Sequence, residues 1–403
     1  MRVLLLTHYF PPEVGAPQTR IAAVAQGLAA RGHRVTVHTG IPHYPGGHPL
    51  PPLDANRRWV VRERLGAIRV LRTRSYLAPN RGTVRRLLDH ATFAAAAVAT
   101  SPLAGPADVV LAESPPLFTA AAGVAYARAK RAALAINVAD LWPASAVELG
   151  MVEKGPVLRA ATWLEAACYA AADLVTAPTQ GIVAALEDHP DARGKAVRVP
   201  PAVDLERFAV VGEPNRDGPL RVLYAGTVGM AQGLETLVEA ARLAGPQAVE
   251  VTVAGDGAER GVVADRVRRD RVANVRLVGP VAAGAVPGLY ASCDAAVVLL
   301  RDRPLFAGAL PTKLFEAMAA ARPVVLAARG EAAELLGGLG AGLVAAPEDP
   351  RSLADALRRL AADRALARAL GARGRAAALR DHGVAAAVER WEAALEAAVA
   401  RAR

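Results

Sequence analysis

Lysine is nearly absent from this 403-residue chain: four lysines stand beside 44 arginines, which makes 48 basic residues in all. A bias of that kind follows genome composition as readily as function, so the net charge of +10 does not by itself assign an acidic partner. Two cysteines, Cys168 and Cys293, stand far apart in apolar settings, which excludes a disulfide framework and marks them as structural thiols of a reducing compartment. No apolar run approaches the roughly 20 residues of a spanning helix; FAAAAVAT at 93–100 is the nearest. MRVLLLTHYFPP at the N-terminus has too brief an apolar run for a secretory signal and reads as a first strand. The expectation is a cytoplasmic protein, with contact to a membrane face left open. Two nucleotide signatures are also missing. No G-x-x-x-x-G-K-[ST] occurs, which excludes P-loop chemistry. The turn after the first strand lacks G-x-G-x-x-G, and no acidic residue ends the second strand at His38-Thr39-Gly40, which argues against a dinucleotide oxidoreductase.

What is present is a repeated α/β pattern. RVLLLT, a Pro- and Gly-rich loop, TRIAAVAQGLAARG and HRVTVHTG read as strand, loop, helix and strand, with Ile21, Val24, Ala25 and Leu28 at helical spacing and Gly32 as a stop. Such units build parallel sheets covered by helices. Strands at 107–114, 134–143, 172–180 and 195–208 continue the first half. After the polar linker 212–219 the series restarts with LRVLYAGT, a helix at 233–243, VEVTVAGDG, a helix near 259–269, NVRLVGP, a helix at 284–291 and DAAVVLL. At 41.8 kDa the chain exceeds one ordinary core. We expect an N-terminal α/β domain at 1–204, a second at 205–380, and an amphipathic helix at 381–403 that packs Val384, Val388, Trp391, Leu395 and Val399 back on the first domain.

The chemistry gathers in the second half. Gly226-Thr-Val-Gly229-Met-Ala-Gln-Gly233 follows one strand and Gly255-Asp256-Gly257 the next, so backbone amides and a helix N-terminus are available to a phosphate. In FAGALPTKLFEAMAAARPVV at 306–325, Thr312 is suited to cap a helix, or Pro311 to begin one. Lys313 and Glu316 then share one face of its first turn. A lysine near a helix N-terminus is unfavourable unless an anion stands before it, and a diphosphate is such an anion. The residues alone equally allow a surface ion pair of about 0.3 kcal/mol.

Together these motifs resemble the retaining glycosyltransferases of family 4, whose GT-B fold has two Rossmann-like domains facing across a cleft. The branch most similar contains bacterial N-acetyl-fucosaminyl and colanic-acid transferases. The resemblance rests on FPPEVGAPQTR at 10–20, VADLWPASAVELG at 138–150, YAGTVGMAQGLETL at 224–237, VAGDGAER at 253–260 and LPTKLFEAMAAARPVV at 310–325, in the family's order and across nearly the whole chain. It implies a catalytic set of Gly15, Asp140 and Lys313. Gly15 would admit the donor's sugar phosphate, and Asp140 would line the acceptor side with Trp142. The implied diphosphate site is Gly226, Thr227, Gly229, Gln232 and Gly255 with Lys313. Glu316 would hold the ribose, and Val278 and Gly279 the base. Gly308, Ala309 and Leu310 would meet the sugar, and Thr312 and Leu314 complete the donor site. Glu13, Arg20 and His43 are acceptor-side candidates, with His8 a further pocket candidate. No metal or other cofactor is expected beyond the nucleotide-sugar co-substrate.

Three departures from the family pattern matter. Gly308 occupies the position of a first glutamate, Ala139 that of a histidine, and Gln232 that of a lysine whose neighbouring arginine is also missing. Lys313 is thereby left as the principal cation for a leaving diphosphate. The implied activity is transfer of an N-acetylhexosamine or deoxy relative from UDP to an envelope-precursor or secondary-metabolite acceptor, which is a small molecule or is linked to lipid or carrier protein. A nucleotide-sugar epimerase of the same fold and an inactive nucleotide-sugar-binding protein are the alternatives. The span 57–86 holds ten arginines and one acid, Glu63, and suits either a peripheral membrane or acidic-protein contact or a plain solvated surface. With only Trp59 and Tyr76 as aromatics, it does not suit nucleic acid.

Overall fold

The computed structural model describes every residue except 14, 45, 52–57, 79–82, 149–154 and 210–216. Arg57, the stretch 79–82 of the basic span, positions 149–150 of the second motif and 212–216 of the linker therefore lie outside the described residues. The chain divides into two compact units, Met1–Pro200 with Val384–Arg403, and Pro201–Gly383. The division falls at 200/201 and 383/384, where the sequence suggests 204/205 and 380/381.

In the first unit the strands are β1 (Arg2–Leu6), β2 (Arg34–Gly40), β3 (Val60–Leu65), β4 (Ile68–Thr73), β5 (Val109–Ser114), β6 (Ala133–Val138), β7 (Leu174–Ala177) and β8 (Ala196–Arg198). They form one sheet of order β3-β4-β2-β1-β5-β6-β7-β8. All pairings are parallel except β3 with β4, a hairpin at the edge. The helices are α1 (Ala16–Ala30), α2 (Thr83–Ala99), α3 (Leu117–Lys130), α4 (Ala144–Glu148), α5 (Pro156–Ala171) and α6 (Gln180–Asp188). Both faces of β1 are apolar because both are covered. Val3 and Leu5 pack with Ile21, Val24 and Leu28 of α1, while Leu4 and Leu6 pack with Phe93, Tyr126 and Tyr169.

The second unit carries β9 (Leu220–Ala225), β10 (Val249–Ala254), β11 (Val275–Gly279), β12 (Ala295–Leu299), β13 (Val324–Ala327) and β14 (Gly342–Ala345) in a wholly parallel sheet, order β11-β10-β9-β12-β13-β14. Its helices are α7 (Glu235–Ala244), α8 (Arg260–Arg269), α9 (Val286–Ser292), α10 (Thr312–Ala319), α11 (Glu331–Leu339), α12 (Pro350–Ala362) and α13 (Arg364–Asp381). Val222 packs with α7 and α12, and Leu223 on the opposite face packs with α9 and α10.

The last helix, α14 (Val384–Arg401), belongs to the first unit. Val388, Trp391 and Leu395 are buried against the α1 face, and Val384 and Val399 are half-buried at its margin. A Cβ on Gly27 of α1 would lie 2.1 Å from Val388 Cγ2, so α14 rests directly on the α1 backbone. Glu392 ties the far end, accepting from Arg31 Nε at 2.6 Å and lying 2.7 Å from His33 Nε2. No helix among the described residues is long and apolar enough to cross a membrane. The basic span does not form one solvated face. Arg72 is buried, bonded to Glu63 at 2.5 Å and to the carbonyls of Gly40 and Pro11, because β4 turns it inward beside the loop after β1.

Candidate active site

In the second unit, each turn at a strand's carboxyl end hangs on the next. The Gly226 amide donates to Ala254 O at 2.9 Å, that of Gly255 to Gly279 O at 2.7 Å, and that of Val228 to Asp256 O at 2.9 Å. The approach is so close that only glycine fits. At Gly255, φ is +147° and a Cβ would lie 1.8 Å from Gly226 O; at Gly257, φ is +157° and a Cβ would lie 2.3 Å from Val228 O. The two glycine turns are therefore one backbone platform, with Thr227 exposed on it.

Lys313 reaches this platform from α10. Its Nζ donates to Tyr224 Oη at 2.8 Å, lies 4.2 Å over the Tyr224 ring, and would be 3.2 Å from a Cβ on Gly226. Desolvation lowers the ammonium pKa to about 8, with Glu316 opposing the shift. Lys313 is half-buried and gives its Nζ to Tyr224, which removes the reading as a plain surface pair. Burial also raises the Glu316 carboxyl, offset by Lys313, Arg207 and Tyr290, whose hydroxyl lies 3.5 Å from Oε2. The cap differs from both expectations: Pro311 is the capping residue and Thr312 the first helical one, with no side-chain cap. The N–H groups of Thr312 and Lys313 have no acceptor among the described residues, as befits an open helix N-terminus.

The other residues named for the donor site differ in the groups they leave free. Leu314 is fully buried and Leu310 nearly so, both in the apolar core, because α10 turns that face to the sheet. Gln232 is spent within its own turn, its Oε1 accepting from the Gly229 amide at 3.1 Å. Gly308 ends a short 3-10 turn, Pro304–Gly308, in which the Phe306 and Ala309 amides already donate to Arg303 O and Phe306 O. The Leu310 amide has no acceptor among the described residues. Val278 is exposed at the end of β11, with Gly279 beside it at φ +77°. Sequence reasoning missed Tyr224, Tyr290 and Arg301. Arg301, at the end of β12, donates to Met230 O at 2.6 Å and to Glu348 and Glu259, which braces the glycine turn with the guanidinium that the turn's own sequence lacks.

In the first unit, Asp140 follows β6 and is exposed. Its Oδ2 accepts from Ser145 Oγ at 3.0 Å, and partial desolvation holds its carboxyl above the usual range despite that bond. Trp142 is half-buried against the core beside it. Gly15 precedes α1 in extended conformation. The acceptor-side candidates Glu13 and Arg20 are engaged elsewhere. Glu13 is buried and accepts from the amides of Phe10, His43 and Tyr44 at 3.0, 2.9 and 2.9 Å, so it joins two loops. Arg20 donates to Glu113 at 2.7 Å, and Glu113 also accepts from Asn137. His43 and His8 lie buried beside Asp89.

Comparison with known proteins identifies the family and the fold. A profile for the glycosyl transferase 4-like domain matches residues 15–202, and one for glycosyl transferases group 1 matches 219–363. WcaI of Escherichia coli (strain K12), assigned to colanic acid biosynthesis as a glycosyl transferase, is 24% identical over 346 residues, 81% of this chain and 83% of that protein. Sucrose-phosphate synthase from Thermosynechococcus elongatus superposes with TM-score 0.76 at 21% identity, over 97% of each chain. HepE of Anabaena in complex with UDP-glucose does so with TM-score 0.72 at 17% identity, over 98% of this chain and 99% of the other. With two glycosyltransferase profiles spanning most of its length and both α/β units in the fold of those enzymes, the chain belongs to the GT-B glycosyltransferases of family 4.

Proposed function

We propose that the protein transfers a sugar, an N-acetylhexosamine or deoxy relative, from UDP to an envelope-precursor or secondary-metabolite hydroxyl with retention of configuration. The observation that carries this reading is Lys313. It is a scarce lysine, held by Tyr224 against a glycine platform with no carboxylate in ion-pair contact among the described residues, and desolvation lowers its pKa to about 8. HepE, a structure of the same fold, was obtained with UDP-glucose, which supports a uridine nucleotide as donor.

In this mechanism the bond from the anomeric carbon to the phosphate oxygen breaks and its electron pair leaves with UDP. Lys313, the glycine-turn amides and the α10 N-terminus stabilise the charge that develops. The acceptor hydroxyl attacks from the same face, and its proton passes to the departing phosphate oxygen. Glu316 accepts hydrogen bonds from the ribose, and the family resemblance gives Gly15 and Asp140 their roles toward sugar and acceptor. No protein nucleophile is required.

Incubation with a panel of nucleotide sugars, with and without cell extract, should give extract-dependent release of UDP. Lys313→Ala should weaken UDP binding by roughly 1–3 kcal/mol through loss of a charge-assisted contact. Tight binding of every donor with no turnover would favour an inactive binding protein, and acceptor-independent change of the sugar would favour an epimerase.

A further inference from the structure

The loop after β1, the loop after β2 and helix α2 meet at three buried side chains that the transfer chemistry does not use: His8, His43 and Asp89, each 1% exposed. Their ligand atoms lie within 4.8 Å of one another. His43 Nδ1 is 2.8 Å from Ile41 O, a carbonyl that can only accept, so Nδ1 carries a proton. Its Nε2 then points at Asp89 Oδ2 at 2.9 Å. In neutral His43 these are two lone pairs in contact, and the arrangement calls for a positive charge between or upon them.

A proton on His43 is the simpler answer, but it serves only that pair. Among the described residues His8 Nδ1 has no hydrogen-bond partner, and His8 Nε2 meets Asp89 Oδ1 only in a long contact of 3.3 Å. Poorly satisfied polar atoms in a site this dry are costly. A divalent cation bound by His8 Nε2, His43 Nε2 and Asp89 serves one nitrogen of each histidine and the carboxylate at once and leaves only His8 Nδ1 unsatisfied. Ligand atoms around tetrahedral zinc are about 3.3–3.5 Å apart, given bonds of about 2.0–2.1 Å. The separations of 2.9 and 3.3 Å, one to each oxygen of Asp89, lie within a few tenths of an ångström of that spacing, and all three ligand atoms lie within 4.8 Å of one another. The Nδ1–H bond to a backbone carbonyl is the outer contact that fixes a ligating imidazole. Glu13 Oε1, 3.8 Å from His43 Nδ1, brings a second carboxylate, and Phe93 and Tyr9 close over the His8 ring edge-on.

We infer that His8, His43 and Asp89 form a structural site for a borderline divalent cation of the zinc class, which clamps the loops after β1 and β2 to α2. Two imidazoles with one carboxylate favour zinc over calcium or magnesium. The role is positional: the clamped loop continues into Gly15 and the N-terminus of α1. This cation takes no part in donor binding and departs from the expectation of a metal-free protein.

The test uses full-length protein with its affinity tag removed, purified without chelators from zinc-supplemented cells. The buried position implies uptake during folding, so elemental analysis should find about one zinc per chain. Refolding from denaturant with Co²⁺ should give the visible absorption of cobalt bound to nitrogen and oxygen, and zinc should raise the melting temperature. Asp89→Asn and His8→Ala should lose the metal and that rise. Folded wild-type protein with negligible zinc, no cobalt absorption and no thermal shift would overturn the site and leave a proton-bridged His43–Asp89 pair. Because the wild-type measurements decide, a variant that fails to fold does not obscure the result. UDP binding, which depends on the second unit, is unaffected by this outcome.

Discussion

At the residue scale, Lys313 concentrates what the sequence could and could not reveal. Its scarcity and its three-residue spacing from Glu316 are visible in the sequence but allow a surface pair as readily as an anion site, and the phosphate and ribose roles come from the family resemblance. Its partner Tyr224 stands 89 positions earlier, in a strand that reads as pure core, so nothing local announced the contact. Arg301 was hidden for the same reason: it braces Met230 from 71 positions away. The Lys313 environment makes a pH prediction. In the free protein the ammonium titrates near 8. A bound diphosphate favours the charged form and raises that pKa. Below pH 8 the lysine is already charged and UDP affinity should be flat on its account; above it, binding must take up a proton, and affinity should fall by up to about tenfold per pH unit. Calorimetry in two buffers of different ionisation heat should detect that uptake at pH 9, and Lys313→Met should abolish it. A wild-type affinity unchanged from pH 7 to 9.5 would contradict the role.

At the element scale, the platform of glycine turns depends on backbone meeting backbone. Gly255→Ala would drive a Cβ into Gly226 O and also strain a positive φ. It should cost about 1–3 kcal/mol of stability and weaken UDP binding at least tenfold. Gly261→Ala in α8, where a Cβ has open space, should do neither and is the control. The glycines were legible as a turn, but their interlocking was not, since it arises from parallel pairing of β9 with β10. Helix α5 offers a different test. Glu165 is half-buried and bonded by Tyr169 Oη at 3.0 Å, and desolvation pushes its carboxyl up to about 7. A carboxyl whose folded pKa exceeds its unfolded value stabilises the fold most when protonated. That contribution is full below about pH 4.5 and is lost as pH rises through 7. Glu165→Gln should therefore add about 1–3 kcal/mol at pH 8 and nearly nothing at pH 4.5, as read from denaturant midpoints at the two pH values.

At the scale of the whole molecule, the sequence disclosed the repeated α/β pattern because fully covered parallel strands are continuous apolar runs. The family motifs then named the fold. The role of the final helix followed from its amphipathic stripe, and the structure adds the surface that receives it: Trp391 and Leu395 lie on the same apolar layer as Val3, Leu5 and Ile21. The first unit is therefore completed by residues synthesised after the whole of the second. Residues 201–383 have their own sheet and two cores, so that fragment should fold cooperatively and bind UDP near the full-length affinity. Residues 1–200 lack the α14 cover. Their α1 face would stay open, and the loss of Trp391 alone is worth about 3–5 kcal/mol, a large part of what a domain of this size has to spare. That fragment should bind hydrophobic dye and aggregate, and joining residues 384–403 to it through a flexible linker should restore a cooperative melt. Were 1–200 to melt cooperatively without that helix, α14 would be an accessory and the dependence of the first unit on the chain's end would be disproved.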